Sequence, residues 1–157
     1  MPLQEKPRAK VQVSLDIAAS PPVLWATFTD LDKWTRWSSA ITSACCISET
    51  EWTLGAQFQL AMDLPFPVGQ WSGVATLTEI QPAGLASWKM EYPLEVTTVR
   101  SFRFKPTGAG TELLIREVYH GSWIAGTIYR LSGFPGQMRK VFEKTLQNLK
   151  TYIEVGV

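Results

Sequence analysis

The densest group of side chains that could do chemistry is the run Arg116-Glu117-Val118-Tyr119-His120. Proton transfer requires a titratable group held beside the reacting atom, and Glu117, Tyr119 and His120 are the members of this run that could supply one. These three are therefore the candidate catalytic residues. His120 is the only histidine of the chain, so any Ser-His-Asp or Cys-His system would have to use it.

A strand through this run places Arg116 and His120 on one face and Glu117 with Tyr119 on the other. The alternation does not decide which face of the strand is buried, because both faces also carry apolar residues. A charge facing a cavity would mark a functional site, since an unpaired buried charge is costly. The simpler interpretation is that Arg116 and Glu117 form cross-strand pairs on the surface. Similarly, His120 is more simply an exposed or capping residue at a strand end.

Arg100 is a further candidate, because it lies in line with Phe102 and Phe104 on an otherwise apolar row. A guanidinium at the end of a pocket could bind a ligand carboxylate or phenolate through a charge-assisted hydrogen bond. Alternatively, the side chain could extend from a sheet edge to water.

Several apolar side chains could either line a ligand pocket or fill the core. Trp88, Met90 and Tyr92 alternate as one strand face. Phe66, in a Pro-Phe-Pro loop, and the apolar segment 123–131 could lie at a cavity mouth, with a homodimer interface as the competing explanation. The predicted ligand-binding set is Phe66, Trp88, Met90, Tyr92, Arg100, Phe102, Arg116, Tyr119, Trp123, Ile128, Met138 and Phe142.

Motifs for metals, cofactors and nucleic acid are missing from the sequence. It contains neither Cys-x-x-Cys nor His-x-x-His, and no phosphate loop, nucleophile elbow or dinucleotide fingerprint. We therefore predict no metal and no cofactor. The run Gly133-Phe-Pro-Gly136 matches an RNA-binding clamp only formally, and its surroundings favour a turn at the start of a helix.

Composition limits the class of protein. The 157 residues predict one domain, and 45% hydrophobic with 18% charged residues predicts a packed globule. A net charge of +1 disfavours nucleic acid as a partner. No apolar run approaches the roughly 20 residues that cross a bilayer, and the N-terminus lacks the apolar region of a signal peptide. The adjacent Cys45 and Cys46 are poorly placed to form a disulfide with each other. A chain without disulfides is typical of a reducing compartment, so we expect a cytoplasmic protein.

The periodicity of the sequence predicts an α+β domain over residues 11–157, after a flexible tail over 1–10. A strand at 11–17 is followed by two short helices, the second carrying Trp34 and Trp37. Six antiparallel strands follow at 41–50, 56–63, 70–81, 85–92, 97–106 and 110–120. Residues 123–131 are a short helix or mobile lid, and 136–154 form a long amphipathic helix that includes Met138 and Phe142.

This order of elements resembles the helix-grip fold of the START-related (SRPBCC) superfamily, and within it the polyketide cyclase/dehydrase and lipid-transport group. The resemblance covers most of the chain and rests on the order and spacing of several short motifs. They are Ile17-Ala-Ala-Ser-Pro-Pro-Val-Leu-Trp25, Asp30-Leu-Asp-Lys-Trp34 with Trp37, Phe102-Arg-Phe104, and Gly110-Thr111.

The resemblance implies a seven-stranded curved antiparallel sheet wrapped around the long C-terminal helix, with an elongated apolar cavity between them. One amphipathic helix cannot fill the concave face of seven strands, so either bulky aromatic side chains or a ligand must do so.

Three hypotheses of function follow. The first is binding of a hydrophobic small molecule, lipid-like or polycyclic aromatic, in the cavity. The alternative is a polyketide cyclase or dehydratase that uses the same cavity to fold a flexible chain into reactive proximity. The third is a protein-interaction module that uses segment 123–131.

Overall fold

Seven antiparallel strands, four α-helices and two single-turn 3-10 helices, at Leu31–Lys33 and Pro93–Glu95, make up the computed structural model, which describes residues 6–156. Two of the α-helices lie between the first two strands and two follow the last strand. The strands are β1 (Ala9–Ile17), β2 (Ile41–Cys46), β3 (Gln57–Asp63), β4 (Gln70–Gln81), β5 (Leu85–Tyr92), β6 (Val96–Thr107) and β7 (Gly110–His120). The helices are α1 (Pro21–Phe28), α2 (Trp34–Trp37), α3 (Trp123–Leu131) and α4 (Phe134–Val155).

The sheet has the strand order β1-β7-β6-β5-β4-β3-β2. Its register places Trp88 opposite Arg100 and Arg100 opposite Glu117. Directly opposed residues of antiparallel strands share a face, so these three side chains form one row on the concave face. Register shifts lie in β2 between Ile41 and Ser43 and in β4 between Leu77 and Glu79. Such bulges bend a strand and increase its twist, which favours the curvature of the sheet.

The long helix α4 packs its apolar stripe into this concave face. Its 22 residues span about 33 Å at about 1.5 Å per residue. The helix begins at Phe134, two residues before the predicted start, because Pro135 is tolerated in a first helical turn and Gly133 adopts the left-handed conformation just before it. Its buried residues recur at helical spacing: Phe134, Met138, Phe142, Thr145, Leu146 and Leu149.

The predicted fold is confirmed: a curved seven-stranded sheet, two short helices between its first two strands, and a long C-terminal helix. Segment 123–131 is a helix, whose Ser122 cap accepts a hydrogen bond from the Ala125 amide at 3.1 Å. The strand predicted over 41–50 ends at Cys46, because beyond it the Gln57 amide donates to the Ser48 hydroxyl at 3.1 Å instead of to a backbone carbonyl.

Residues 9 and 10, predicted as part of the N-terminal tail, belong to the sheet. β1 begins at Ala9, and the Arg8 amide donates to the Tyr119 carbonyl at 2.8 Å. Residues 1–5 of that predicted tail lie outside the described residues. Across residues 6–156, no helix has the length and apolar character that a membrane span requires.

Candidate ligand cavity

A buried polar cluster lies at the centre of the concave face. We call Arg100, Glu117 and Tyr92 the polar cluster; they come from β6, β7 and β5, and each is at most 4% exposed. Arg100 Nε donates to Glu117 Oε2, and Arg100 Nη2 donates to the Tyr92 hydroxyl at 3.0 Å. That hydroxyl in turn donates to Glu117 Oε1 at 3.2 Å. The three side chains thus form a closed ring of hydrogen bonds.

The charges of the polar cluster compensate one another. Burial by itself lowers the pKa of Arg100, but the Glu117 carboxylate and the neighbouring tyrosines outweigh it, so this pKa is raised overall. Burial, followed by the charge of Glu117, raises the pKa of Tyr92 and of Tyr119 well above 10.0. Both phenols are therefore neutral at physiological pH. Burial of an ion pair is tolerable only with good geometry and additional hydrogen bonds, which Tyr92 supplies.

Apolar neighbours complete the surroundings of Arg100. Its Nη1 lies 3.7 Å from Met62 Sδ, and its guanidinium carbon lies 5.0 Å from the Phe142 ring centroid on α4. A cation over an aromatic face is stabilised by the ring quadrupole. The Tyr119 hydroxyl is buried beside Glu117, but it has no partner at normal hydrogen-bond distance within the described chain.

Beside Arg100 is a small cavity between the sheet, α4 and the connection from α2 to β2. Its volume is about 20 Å³, room for about one water molecule. Of the described side chains that line it, only that of Arg100 is titratable. The lining residues are Trp34, Trp37, Ser38, Ala40, Ile41, Trp88, Arg100, Phe102, Val141, Phe142 and Thr145.

Aromatic packing explains why so little free space remains. Trp34 stacks on Trp88 with ring centroids 5.6 Å apart, and Trp88 stacks on Phe102 at 5.3 Å. Phe28 of α1 packs on Phe102 at 4.8 Å, and Trp37 packs on Trp34 at 6.0 Å. We call these five residues the aromatic cluster. In this closed state, the protein's own aromatic side chains fill most of the concave face and leave only the small cavity.

A short hydrogen-bonded contact closes the cavity toward solvent. The exposed Ser39 donates from its amide to Thr145 Oγ1 at 3.1 Å and from its hydroxyl to the Val141 carbonyl at 2.9 Å. These bonds hold the connection between α2 and β2 against α4. Ser39 is exposed, and the residues on either side of it, Ser38 and Ala40, line the cavity.

Most of the predicted site residues lie inside the molecule. Trp88, Arg100, Phe102 and Phe142 line the cavity itself. The buried remainder packs on the concave face without lining it: Met90, Tyr92, Glu117, Tyr119 and Met138. Seven cavity residues were missing from the predicted set: Trp34, Trp37, Ser38, Ala40, Ile41, Val141 and Thr145. For Trp34 and Trp37, the spacing of three residues on one helical turn was a usable signal.

Four predicted ligand-binding residues lie elsewhere. Arg116 is exposed on the convex face, because it alternates with the buried Glu117 along β7. Phe66, Trp123 and Ile128 are 75%, 68% and 39% exposed, on a loop and on the outer side of α3, and none lines the cavity.

Two interpretations of charged residues are corrected. Glu117 does form a cross-strand pair, but with Arg100 in the interior and not at the surface. Arg100 therefore does not extend to water. His120 is half-buried and lies on the opposite face of the strand from Tyr119, away from the concave face.

Comparison with known proteins assigns the class. The chain matches the family described as polyketide cyclase / dehydrase and lipid transport over residues 8–154, and so belongs to it. A search of curated proteins finds no match. Across residues 6–156, no group of three or more His, Cys, Asp or Glu side chains could hold a metal ion.

Solved structures of low sequence identity share the fold. A protein from Thermus thermophilus superposes with a TM-score of 0.74 at 14% identity, covering 94% of this chain and 99% of that one. A Rhodobacter sphaeroides protein gives 0.73 at 18% identity, covering 98% and 99%. A Deinococcus radiodurans protein gives 0.66 at 18% identity, covering 95% and 100%. Family and fold together support a role in binding hydrophobic ligands.

Proposed function

We propose that the protein binds a hydrophobic small molecule, lipid-like or polycyclic aromatic, between the concave face of the sheet and α4. The observation that carries this proposal is the apolar cavity whose wall contains a single charged side chain, Arg100. Small-molecule sites typically combine apolar walls with a few well-placed polar groups. The family to which the chain belongs supports the same role.

Binding requires the cavity to open, because about 20 Å³ holds no lipid or polycyclic molecule. The contact between Ser39 and α4 is the natural place for this opening, because it is held by few hydrogen bonds. Its neutral hydrogen bonds each contribute about 1 kcal/mol net. Burial of a ligand contributes about 25 cal/mol per Å² of apolar surface, so a few hundred Å² would offset the opening.

Native mass spectrometry of freshly purified protein, followed by solvent extraction, tests the proposal. We expect a defined apolar mass bound once per chain. Replacing Ala40 in the cavity wall with leucine should fill the space and abolish the bound mass while the circular dichroism spectrum is retained. The same change at Ala109, exposed in the turn between β6 and β7, is the matched control.

Bare protein from several expression hosts, together with no binding of added hydrophobic probes, would contradict the proposal. That result would favour the hypothesis of an interaction module, whose predicted surface is the exposed side of α3. Retention of the ligand by Ala40→Leu would place the ligand outside the cavity.

A polyketide cyclase or dehydratase is the second candidate, supported by the buried Glu117, Tyr92 and Tyr119 behind Arg100. A pocket can accelerate ring closure by holding a flexible chain in reactive geometry, and these groups could move a proton once an open cavity reaches them. In the closed state, Glu117 and the two tyrosines do not line the cavity, which favours binding.

Tyr119→Phe separates binding from catalysis. The Tyr119 hydroxyl has no hydrogen-bond partner in the described chain, so its removal should preserve the fold. For an enzyme, turnover of an extracted ligand should collapse in Tyr119→Phe while affinity is retained. For a binding protein, no variant should show a turnover defect, because the wild type has no turnover.

A further inference from the structure

The buried tryptophans differ in what their indole N–H groups bond to. Trp34 donates to the Phe28 carbonyl at 2.6 Å, and Trp52 donates to the Thr29 carbonyl at 2.8 Å. Trp37 and Trp88 are each 1% exposed, yet their Nε1 atoms find no acceptor anywhere in residues 6–156. A buried donor left without an acceptor is costly. The fold therefore tolerates two unsatisfied donors of the same chemical type.

Both unsatisfied indoles border the same free space. Trp37 and Trp88 line the cavity and pack against Trp34, with centroid distances of 6.0 and 5.6 Å. No described protein atom accepts from these two N–H groups. An acceptor must therefore come from an occupant of the cavity, either a water molecule or an oxygen of a ligand.

Each of the other polar side chains in the described wall has at least one partner within the protein. Arg100 is compensated by Glu117, so the cavity offers no free positive charge to a carboxylate. Ser38 Oγ accepts from the amides of Ala40 and Ile41, and Thr145 Oγ1 accepts from Ser39. What the wall offers an occupant is therefore donor capacity without net charge.

We infer that the cavity selects uncharged apolar ligands with a hydrogen-bond-accepting oxygen, such as a ketone or quinone, and that Trp37 and Trp88 donate to that oxygen. Hydrocarbons would leave both donors unsatisfied. Carboxylates would bring an uncompensated charge into an apolar space. This inference rests on the proposed function and specifies the class of ligand that the cavity takes.

Matched small probes test the inference. Indane and 1-indanone have nearly the same shape and differ by one carbonyl oxygen. Their dissociation constants are measured by NMR titration of ¹⁵N-labelled protein, in which the tryptophan indole resonances are resolved and assigned from single variants. The ratio of the two affinities is compared between the wild type and each variant. The difference in hydration between the two probes is the same for every protein, so it cancels in this comparison.

In the double variant Trp37→Phe/Trp88→Phe, the preference for the ketone should fall about tenfold, the effect of one hydrogen bond to an otherwise unsatisfied donor. In wild type, 1-indanone but not indane should move an indole proton of Trp37 or Trp88 downfield. Trp34→Phe is the matched control, because Trp34 lines the same cavity with its N–H already bonded. The two single variants replace the double variant if the latter does not fold.

Three results would overturn the inference. An unchanged ratio in the double variant, with both probes still bound, would show a cavity indifferent to acceptors and leave the proposed function intact. If 1-indanecarboxylate bound more tightly than 1-indanone, the cavity would prefer a charged ligand, contrary to the inference. The proposed function, binding of a hydrophobic molecule in the cavity, would again stand. Failure of every probe to bind, together with bare protein in the mass spectra, would overturn both proposals.

Discussion

The aromatic cluster and the polar cluster lie side by side on the concave face, but their hydrogen-bonding groups are in opposite states. In the polar cluster, Arg100, Glu117 and Tyr92 satisfy one another inside a ring of bonds. In the aromatic cluster, Trp37 and Trp88 retain unused donors beside free space. The comparison indicates that the charged residues satisfy one another within the sheet, whereas the two indoles border the cavity with unused donors.

The largest effect should come from breaking the polar cluster. Glu117→Gln leaves the Arg100 charge buried without its partner, and the free energy of unfolding should fall by about 3–5 kcal/mol. Urea denaturation followed by tryptophan fluorescence measures the change. The double variant Arg100→Met/Glu117→Met removes both charges and should recover most of the loss. A fall below about 1 kcal/mol for Glu117→Gln would show that the pair contributes little to the fold.

A smaller effect should appear at alkaline pH. The pKa of Tyr119 in the folded protein lies well above its ordinary value of 10.0, because burial, and then the charge of Glu117, disfavours the phenolate. Its contribution to stability is complete below pH 10 and is lost as the pH rises above it, at about 1.4 kcal/mol per pH unit for one group.

Denaturation midpoints of wild type and Tyr119→Phe between about pH 9 and pH 11, on either side of the ordinary tyrosine pKa, check this expectation. The wild type should lose stability more steeply than the variant above pH 10. Parallel curves would mean that Tyr119 ionises as easily in the folded as in the unfolded chain, in conflict with its burial.

The smallest effect on stability should come from a substitution at the contact between Ser39 and α4, beside the cavity. Ser39→Ala removes the hydroxyl bond to the Val141 carbonyl at the surface, so unfolding should become easier by about 1 kcal/mol or less. The association rate of a hydrophobic dye should nevertheless increase, because the cover between α4 and the α2–β2 connection opens more often. Stopped-flow fluorescence measures this rate. Ser72→Ala, at an exposed position of β4, is the control. Equal rates in the wild type and both variants would mean that the dye enters by another route.

The sequence predicted most of the fold but only part of the cavity. The order of strands, the two short helices and the face of α4 were predicted, because period-two and 3.6-residue patterns are local properties of the chain. Trp88, Arg100, Phe102 and Phe142 were predicted as ligand contacts and line the cavity. Phe66 and Trp123 were predicted from apolar character alone, which does not distinguish a cavity mouth from an exposed surface.

The sequence by itself determined seven antiparallel strands, two short helices and one long helix, because alternation, turn residues and helical spacing act over a few residues each. The curvature of the sheet around that helix was implied by the resemblance to the helix-grip fold. Only the tertiary structure decided which face of β7 is buried. Both faces carry mixed residues, and the choice depends on Arg100, which is 17 residues away in the chain and lies directly opposite Glu117. The tertiary structure also decided how much of the concave face stays empty, since that volume depends on how aromatic side chains from separate elements pack together.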